Sequence, residues 1–428
     1  MKCLFILACA VLASPALAQD KINELERKIE ALSQEVERMK LGQAAEPAAA
    51  ETSIPGEAPA ASKIYRSPAQ RVSIGGYGEF IYENNAGRNQ KGDASGQRDA
   101  TDLLRAVLYF GYKYNDWILF NSEIEFEHAT TGSGTSNRGE VSVEQAYVDF
   151  RLHDYLGIRA GNVLVPMGLI NEVHEPTTFH GVQRPSVERT ILPSTWRENG
   201  AGLFGAFGPL RYRSYLVTGL HGVATSNPTS SGFNASNGVR DARTSGAKTF
   251  AEDGAWVSRV DVSPVAGVLA GASLYLGQAD QELTAANIPL TLWDLHGQAE
   301  WRGVELRGVY VEGRIGNADS VNQAQGLTGQ NSIGRRLFGG YAEAAFNALS
   351  LTASRHYLAP FFRYERYDTQ MRVPGGFSKN PANSRVEYAL GLTYKPIPQI
   401  AAKTDYKWRR NQARTGSNIW SLGLAYIF

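Results

Sequence analysis

From residue 71 to its last residue the chain alternates apolar and polar side chains with a period of two, and no run of eighteen apolar residues occurs in it. A period of two sends successive side chains to opposite faces of a strand. A helix that crosses a membrane needs about 20 apolar residues in a row, so any crossing falls to strands. Leu104, Ala106, Leu108, Phe110 and Tyr112 share one face, with Arg105, Tyr109 and Lys113 opposite. Ile118, Phe120, Ile124 and Phe126 alternate with Asn121, Glu123, Glu125 and Glu127. Ala146, Val148, Phe150 and Leu152 oppose Gln145, Tyr147, Asp149 and Arg151, and near the end Val386, Tyr388, Leu390, Leu392 and Tyr394 oppose Arg385, Glu387, Thr393 and Lys395.

A soluble sandwich also alternates, so the connections decide. Tight links at 115–116, 153–156, 208–210, 263–266, 302–303 and 395–398 alternate with long polar stretches. The long ones fall at 84–99, 130–139, 165–199, 220–254, 277–289, 313–334 and 370–384. Short turns at one end and long loops at the other mark a transmembrane barrel, and the count predicts an all-β, antiparallel barrel of about sixteen strands. In the last segment Trp420, Leu422, Leu424, Tyr426 and Phe428 share a face against Ser421, Gly423 and Ala425, and the chain stops on the aromatic itself. The aromatic excess, 20 tyrosines and 7 tryptophans against 4 methionines, fits girdles at the two water boundaries.

The amino-terminal part reads differently. Lys2, an apolar run from Cys3 to Leu12 and Ala16-Leu17-Ala18 form a signal peptide over 1–18. Both cysteines lie in it, so the exported chain has no disulfide framework or cysteine-based zinc site. Over 19–40, Ile22, Ile29 and Val36 at a and Leu25, Leu32 and Met39 at d form a coiled-coil seam. A helix of about twenty residues is marginal alone, so the seam predicts a partner. Residues 41–70 are rich in Ala, Pro and Glu, a linker in which Pro47, Pro55 and Pro59 stop helix propagation. The barrel is assigned to 71–428.

Charge excludes one class of function and permits another. With 43 basic and 42 acidic side chains the whole chain lacks the basic excess of a nucleic-acid binder. Beyond residue 62 there are 37 basic and 33 acidic groups, a mild bias that permits anion preference. Pore-lining candidates are Arg105, Lys113, Glu123, Glu125, Glu127, Arg151, Arg259, Arg307, Arg385, Lys403, Lys407 and Arg409. Glu123, Glu125 and Glu127 stack on one strand face, about 7 Å apart, and are expected to pair with interior arginines. The 165–199 loop carries Arg184, Arg189 and Arg197 and is expected to fold inward and narrow the pore. His174-Glu175 with His180 lacks the H-E-x-x-H spacing, and Pro176 prevents the helix that motif needs, so no metal site is assigned. No catalytic constellation and no cofactor are expected. Gly75-Gly76-Tyr77-Gly78 lies in a strand, where small residues ease packing or curvature.

The residues resemble the phosphate-selective porin O and P family of Gram-negative outer membranes. The matching stretches are Gly75-Gly76-Tyr77-Gly78-Glu79-Phe80, Ser122 to His128, Gly168 to Pro176 and Ala359 to Asp368, and the resemblance spans about 74–428. It implies a sixteen-stranded trimeric channel with an inward loop, in which arginines and lysines along the pore select phosphate. The dense acidic residues opposite the bases depart from that pattern. The expectation is an outer-membrane porin for diffusion of small hydrophilic solutes, anions and phosphate among them. The expected partners are outer-membrane lipid and lipopolysaccharide, two further copies of the chain, and peptidoglycan reached by a periplasmic coil. Two other classes stay open: a structural barrel that tethers envelope layers through the coil, and a barrel enzyme.

Overall fold

The computed structural model describes residues 58–66, 71–130, 139–226 and 229–428. The signal peptide and the coil expected over 1–40 lie outside the described residues.

Sixteen strands close a single antiparallel barrel. The first half contains β1 (Val72–Asn85), β2 (Ala100–Lys113), β3 (Ile118–Glu127), β4 (Val141–His153), β5 (Leu156–Leu164), β6 (Arg197–Phe207) and β7 (Leu210–Thr218). A two-residue pair, β8 (Thr225–Ser226) and β9 (Thr229–Ser230), stands apart in the loop after β7. The wall resumes with β10 (Gly254–Val262), β11 (Val268–Gln278), β12 (Pro289–Trp301), β13 (Val304–Ile315) and β14 (Arg336–Phe346). It ends with β15 (Tyr357–Arg372), β16 (Ser384–Ile397), β17 (Ile400–Asn411) and β18 (Ile419–Ile427).

Every barrel strand pairs with its sequence neighbour, and β18 returns to pair with β1. The terminal residue completes the seam. The Phe428 amide donates to the Gly76 carbonyl at 2.9 Å, and the Gly76 amide donates back to the Phe428 carbonyl at 3.0 Å. A Cβ on Gly76 would come within 2.6 Å of the Phe428 ring, and one on Gly78 within 2.4 Å of the Tyr426 side chain. The small residues therefore make room for the outward aromatics of the last strand.

Burial inverts the pattern of a soluble core. Phe80, Leu108, Phe110, Leu216, Leu295, Leu306, Phe362, Leu390 and Leu424 are exposed, whereas Glu123, Asp149, Asp294, Arg363, Lys407 and Ser421 are almost wholly covered. An apolar outer belt around a polar interior is the arrangement that lipid requires of a barrel. The turns between β3's predecessor and β3, and after β4, β6, β10, β12 and β16, are short. One turn at that end, 347–356, is longer and contains a 3-10 segment, Ala348–Leu351, that the sequence had not marked.

Two features of the inner wall position the site. The β3–β4 register shifts between Glu123 and Ile124. This bulge turns Glu144 inward beside Gln145, and both are buried. The second feature is a short ordered segment, 58–66, within the stretch expected to connect coil and barrel. It ends in one helical turn, Lys63–Arg66, with Ile64 fully buried. A Cβ on Gly111 would meet that of Ile64 at 2.6 Å, so the wall of β2 is shaped to admit this segment.

Candidate pore constriction

Residues 165–196, between β5 and β6, turn into the barrel. Val165, Met167, Ile170, Val182, Val187, Ile191, Leu192 and Trp196 are buried there. An inward loop carries backbone groups away from water, and each needs a partner. The opposite wall supplies them.

Cations hold its carbonyls. The Lys403 ammonium donates to the carbonyls of Pro176, Phe179 and Gly181. Lys395 donates to Thr177 O at 2.8 Å, Arg307 to Thr178 O at 2.6 Å, and Arg363 to His180 O at 3.2 Å. Arg259 donates to Gly168 O. Carboxylates hold its amides. Val182 N donates to Asp405 at 2.6 Å, Val187 N to Glu365 at 3.0 Å and Gly168 N to Asp294 at 3.2 Å. Hydrogen bonds to charged groups stabilise by about 1.5–3 kcal/mol each, and these come from β10, β12, β13, β15, β16 and β17. The loop is pinned across the lumen.

A second anchor lies on the near wall. His174 Nε2 is 3.1 Å from Glu123 Oε1 and 3.4 Å from Glu144 Oε2, all three groups being buried. Its Nδ1 faces the Asn171 carbonyl at 2.8 Å. Burial opposes a charge on the ring, but Glu123 and Glu144 outweigh it and hold the His174 pKa up at about 10. The three ligand atoms lie within 4.8 Å of one another, a spacing that could hold a metal ion. The carboxylates are already engaged. Glu123 accepts from Tyr77, Tyr109 and Gln145, and Glu144 accepts from Arg197. An imidazolium clasped by two carboxylates accounts for the geometry.

The neighbouring Glu175 reaches the 58–66 segment. Its Oε1 accepts from Ala60 N at 2.8 Å and from Ala61 N at 3.0 Å. Burial pushes its pKa up to about 7, against the pull of those two amides. Tyr65 OH donates to Asp149 at 2.7 Å, and Asn121 Nδ2 donates to Ala61 O at 2.9 Å.

Among the described residues, Arg189, Arg240, Arg409 and Lys407 form no ion pair. The Arg189 guanidinium donates to the Gln183 side-chain oxygen. Its pKa is lowered by burial and then by the charges of Arg240 and Arg409. Lys407 is 1% exposed. Two carboxylates lie near this group without forming an ion pair with it: Glu387, which accepts from Tyr367 and Ser186, and Asp405, which accepts from Val182 N.

The expected pore residues thus divide. Arg105 is paired with Glu79 at 2.9 Å and Glu125 at 3.4 Å. Arg259 pairs with Asp261 at 2.8 Å, and Arg259, Arg307 and Lys403 hold the loop. Arg385 bonds to Ala382, Ser236 and Asn383, and its guanidinium lies over the Tyr367 ring. Lys113 and Glu127 are half-buried and Arg151 is exposed. Of the loop residues, Arg184 donates to His174 O and Arg189 joins the unpaired group. Arg197 opens β6 rather than lying in the loop, because the β5–β6 ladder already pairs it with Leu164. Sequence reasoning missed Arg363, which pairs with Glu343 and Glu365 at 2.9 Å each, although its alternation with Glu365 in 361–365 carried the signal. It also missed Glu144, hidden by the bulge, and Arg240, brought in by a long loop.

The phosphate-selective porin O and P family model matches residues 77–185. An uncharacterized protein of Aquifex aeolicus (strain VF5) is 33% identical over 379 residues, which cover 87% of this chain and 83% of that protein. The fold is similar to that of an anion-selective porin from Comamonas acidovorans, with a TM-score of 0.54 at 10% identity over 83% of this chain and 99% of that one. It is also similar to Salmonella typhi OmpF in complex with daunomycin, with a TM-score of 0.56 at 13% identity over 83% and 97% of the two chains. A closed sixteen-strand barrel with an apolar belt and an inward loop, together with these matches, places the chain in the phosphate-selective porin O and P family, as a channel of the outer membrane.

Proposed function

We propose that the channel passes small hydrophilic solutes by diffusion and prefers anions, phosphate among them. The observation that carries this reading is the group of Arg189, Arg240, Arg409 and Lys407 beside the constriction loop, cations that form no ion pair among the described residues. Cations already used to hold backbone carbonyls offer little to a solute, whereas these are not tied to a loop carbonyl and keep their field. The anion selectivity named for the Comamonas porin agrees with the reading.

The working organisation is a signal peptide at 1–18, a periplasmic coil at 19–40, a connector and a barrel from 71. The protomer works as a homotrimer, and the described trimer form of Vibrio cholerae OmpT, a fold relative with a TM-score of 0.50, agrees with that. Reversal potentials in a salt gradient across a planar bilayer test the function. Anion preference that falls as Arg409→Gln and Arg240→Gln are introduced supports it. Cation selectivity of the intact channel would overturn the anion reading, and absence of conductance would overturn the channel itself.

A further inference from the structure

On the outer face of β13 to β15 the belt is interrupted by a groove of about 300 Å³. Gly340 and Ala342 form its floor, and Tyr310, Phe338 and Tyr364 its sides. These are outward positions. Tyr310 and Tyr364 are 42% and 36% exposed, next to the lipid-facing Leu306 and Phe362. Apart from Arg366 its lining is apolar or aromatic, which suits an acyl chain.

The groove runs up to a basic rim on the long-loop side. Arg366 lines it, with its guanidinium 5.8 Å from the Phe338 ring centre. Above, Arg314, Arg336 and Arg372 stand directly opposite one another on three adjacent strands. Like charges placed opposite across strands are destabilising. The two carboxylates nearby are already engaged, Glu312 with Arg336 at 2.6 Å and Asp368 with Lys379 at 3.0 Å. Arg314, Arg366 and Arg372 have no ion-pair partner among the described residues and are exposed. Charge complementarity calls for an anion at the rim, directly above an apolar trough.

We infer that this face binds a phosphorylated, acylated lipid of the outer leaflet, one acyl chain lying over Gly340 and Ala342 and a phosphate meeting Arg366 and the arginine row. The other candidate occupant, a second copy of the chain, would bring no anion to that row from its own apolar belt.

The test uses the full chain refolded in detergent, mixed with lipid A or with the same lipid stripped of phosphate, and bound lipid is counted by native mass spectrometry. Arg314→Gln with Arg366→Gln removes the headgroup contact. Gly340→Leu fills the trough; its Cβ meets the Val309 carbonyl at 3.2 Å, a tight contact that needs the two strands to shift by a few tenths of an ångström. The phosphorylated lipid is expected to be retained by the native chain and weakened roughly fivefold per arginine removed. The Leu variant is expected to lose both lipids, with single-channel conductance unchanged as evidence of an intact barrel. Equal retention of the two lipids, or native binding by the arginine variant, would overturn the inference. Loss of self-association in the Leu variant with lipid retained would overturn it too, by assigning the face to another copy. If the Leu variant does not fold, the arginine pair decides alone.

Discussion

Two groups of cations share this lumen and do different work. Lys403, Lys395, Arg307, Arg363 and Arg259 are spent on the carbonyls of one loop. Arg189, Arg240, Arg409 and Lys407 are crowded together and form no ion pair among the described residues. The residue types are the same; the difference is whether a loop carbonyl lies within reach. Basic side chains in a barrel interior therefore cannot be counted towards selectivity until their hydrogen bonds are assigned.

The largest expected effect comes from breaking the first group. Lys403→Met keeps the length and apolar stem but removes the donor shared by Pro176, Phe179 and Gly181. A buried polar group left without a partner costs about 1–3 kcal/mol, and three carbonyls are affected. The loop should leave the far wall, so single-channel conductance rises and the thermal midpoint falls. Unchanged conductance would show that the constriction does not depend on this anchor.

The second group predicts the opposite signature. Arg409→Gln with Arg240→Gln should leave channel size alone and move the reversal potential towards zero. A unit charge acts on another at 4 Å with about 1 kcal/mol in a water-like medium, close to a fivefold change in anion occupancy per charge. A change in conductance without a change in selectivity would dissolve the distinction between the groups.

The His174 clasp gives a smaller, pH-dependent effect. Its pKa is raised in the folded protein to about 10. A group raised above its ordinary value near 6.5 contributes stability that is fully present below that value and is lost as pH rises through the folded one. Loop anchoring on the near wall should therefore weaken between about pH 7 and pH 10, read as growing current noise across that window. His174→Gln should show the same noise at every pH.

Much of this was legible in the sequence, for reasons that can be named. The period of two marks inward and outward faces, so the inward position of Arg105, Arg259 and Lys403 follows from alternation, and the short turns alternating with long loops add the barrel and its strand number. The shared face of Trp420, Leu422, Leu424, Tyr426 and Phe428 was also legible, whereas the seating of Phe428 and Tyr426 over Gly76 and Gly78 was not. What alternation cannot convey is the identity of a partner far away in the chain. Lys403 and Pro176 are separated by 227 positions, and nothing local distinguishes a lysine that holds a carbonyl from one that meets a solute. Glu144 was hidden because a bulge breaks the period at that point. Arg240 was hidden because its loop has no period.

The smallest effect is expected where the 58–66 segment meets the constriction loop, and it separates charge from hydrogen bonding. Glu175 accepts from two backbone amides, and its burial makes the charged form costly. Glu175→Gln keeps an acceptor oxygen for Ala60 N and Ala61 N while removing the buried charge, so the segment should stay docked. Glu175→Ala strips both amides of their partner. Trypsin cleavage after Lys63 and Arg66, mapped by fragment mass, reports the opening of the segment, since cleavage follows the population of the open form when reclosing is fast. A bond to a charged acceptor is worth about 1.5–3 kcal/mol, so the Ala variant should be cut at least about tenfold faster than the native chain and the Gln variant much less. Equal rates in all three would mean that the Glu175 contact does not hold the segment, and that the wall of β2 around Gly111 and Ile64 keeps it in place unaided.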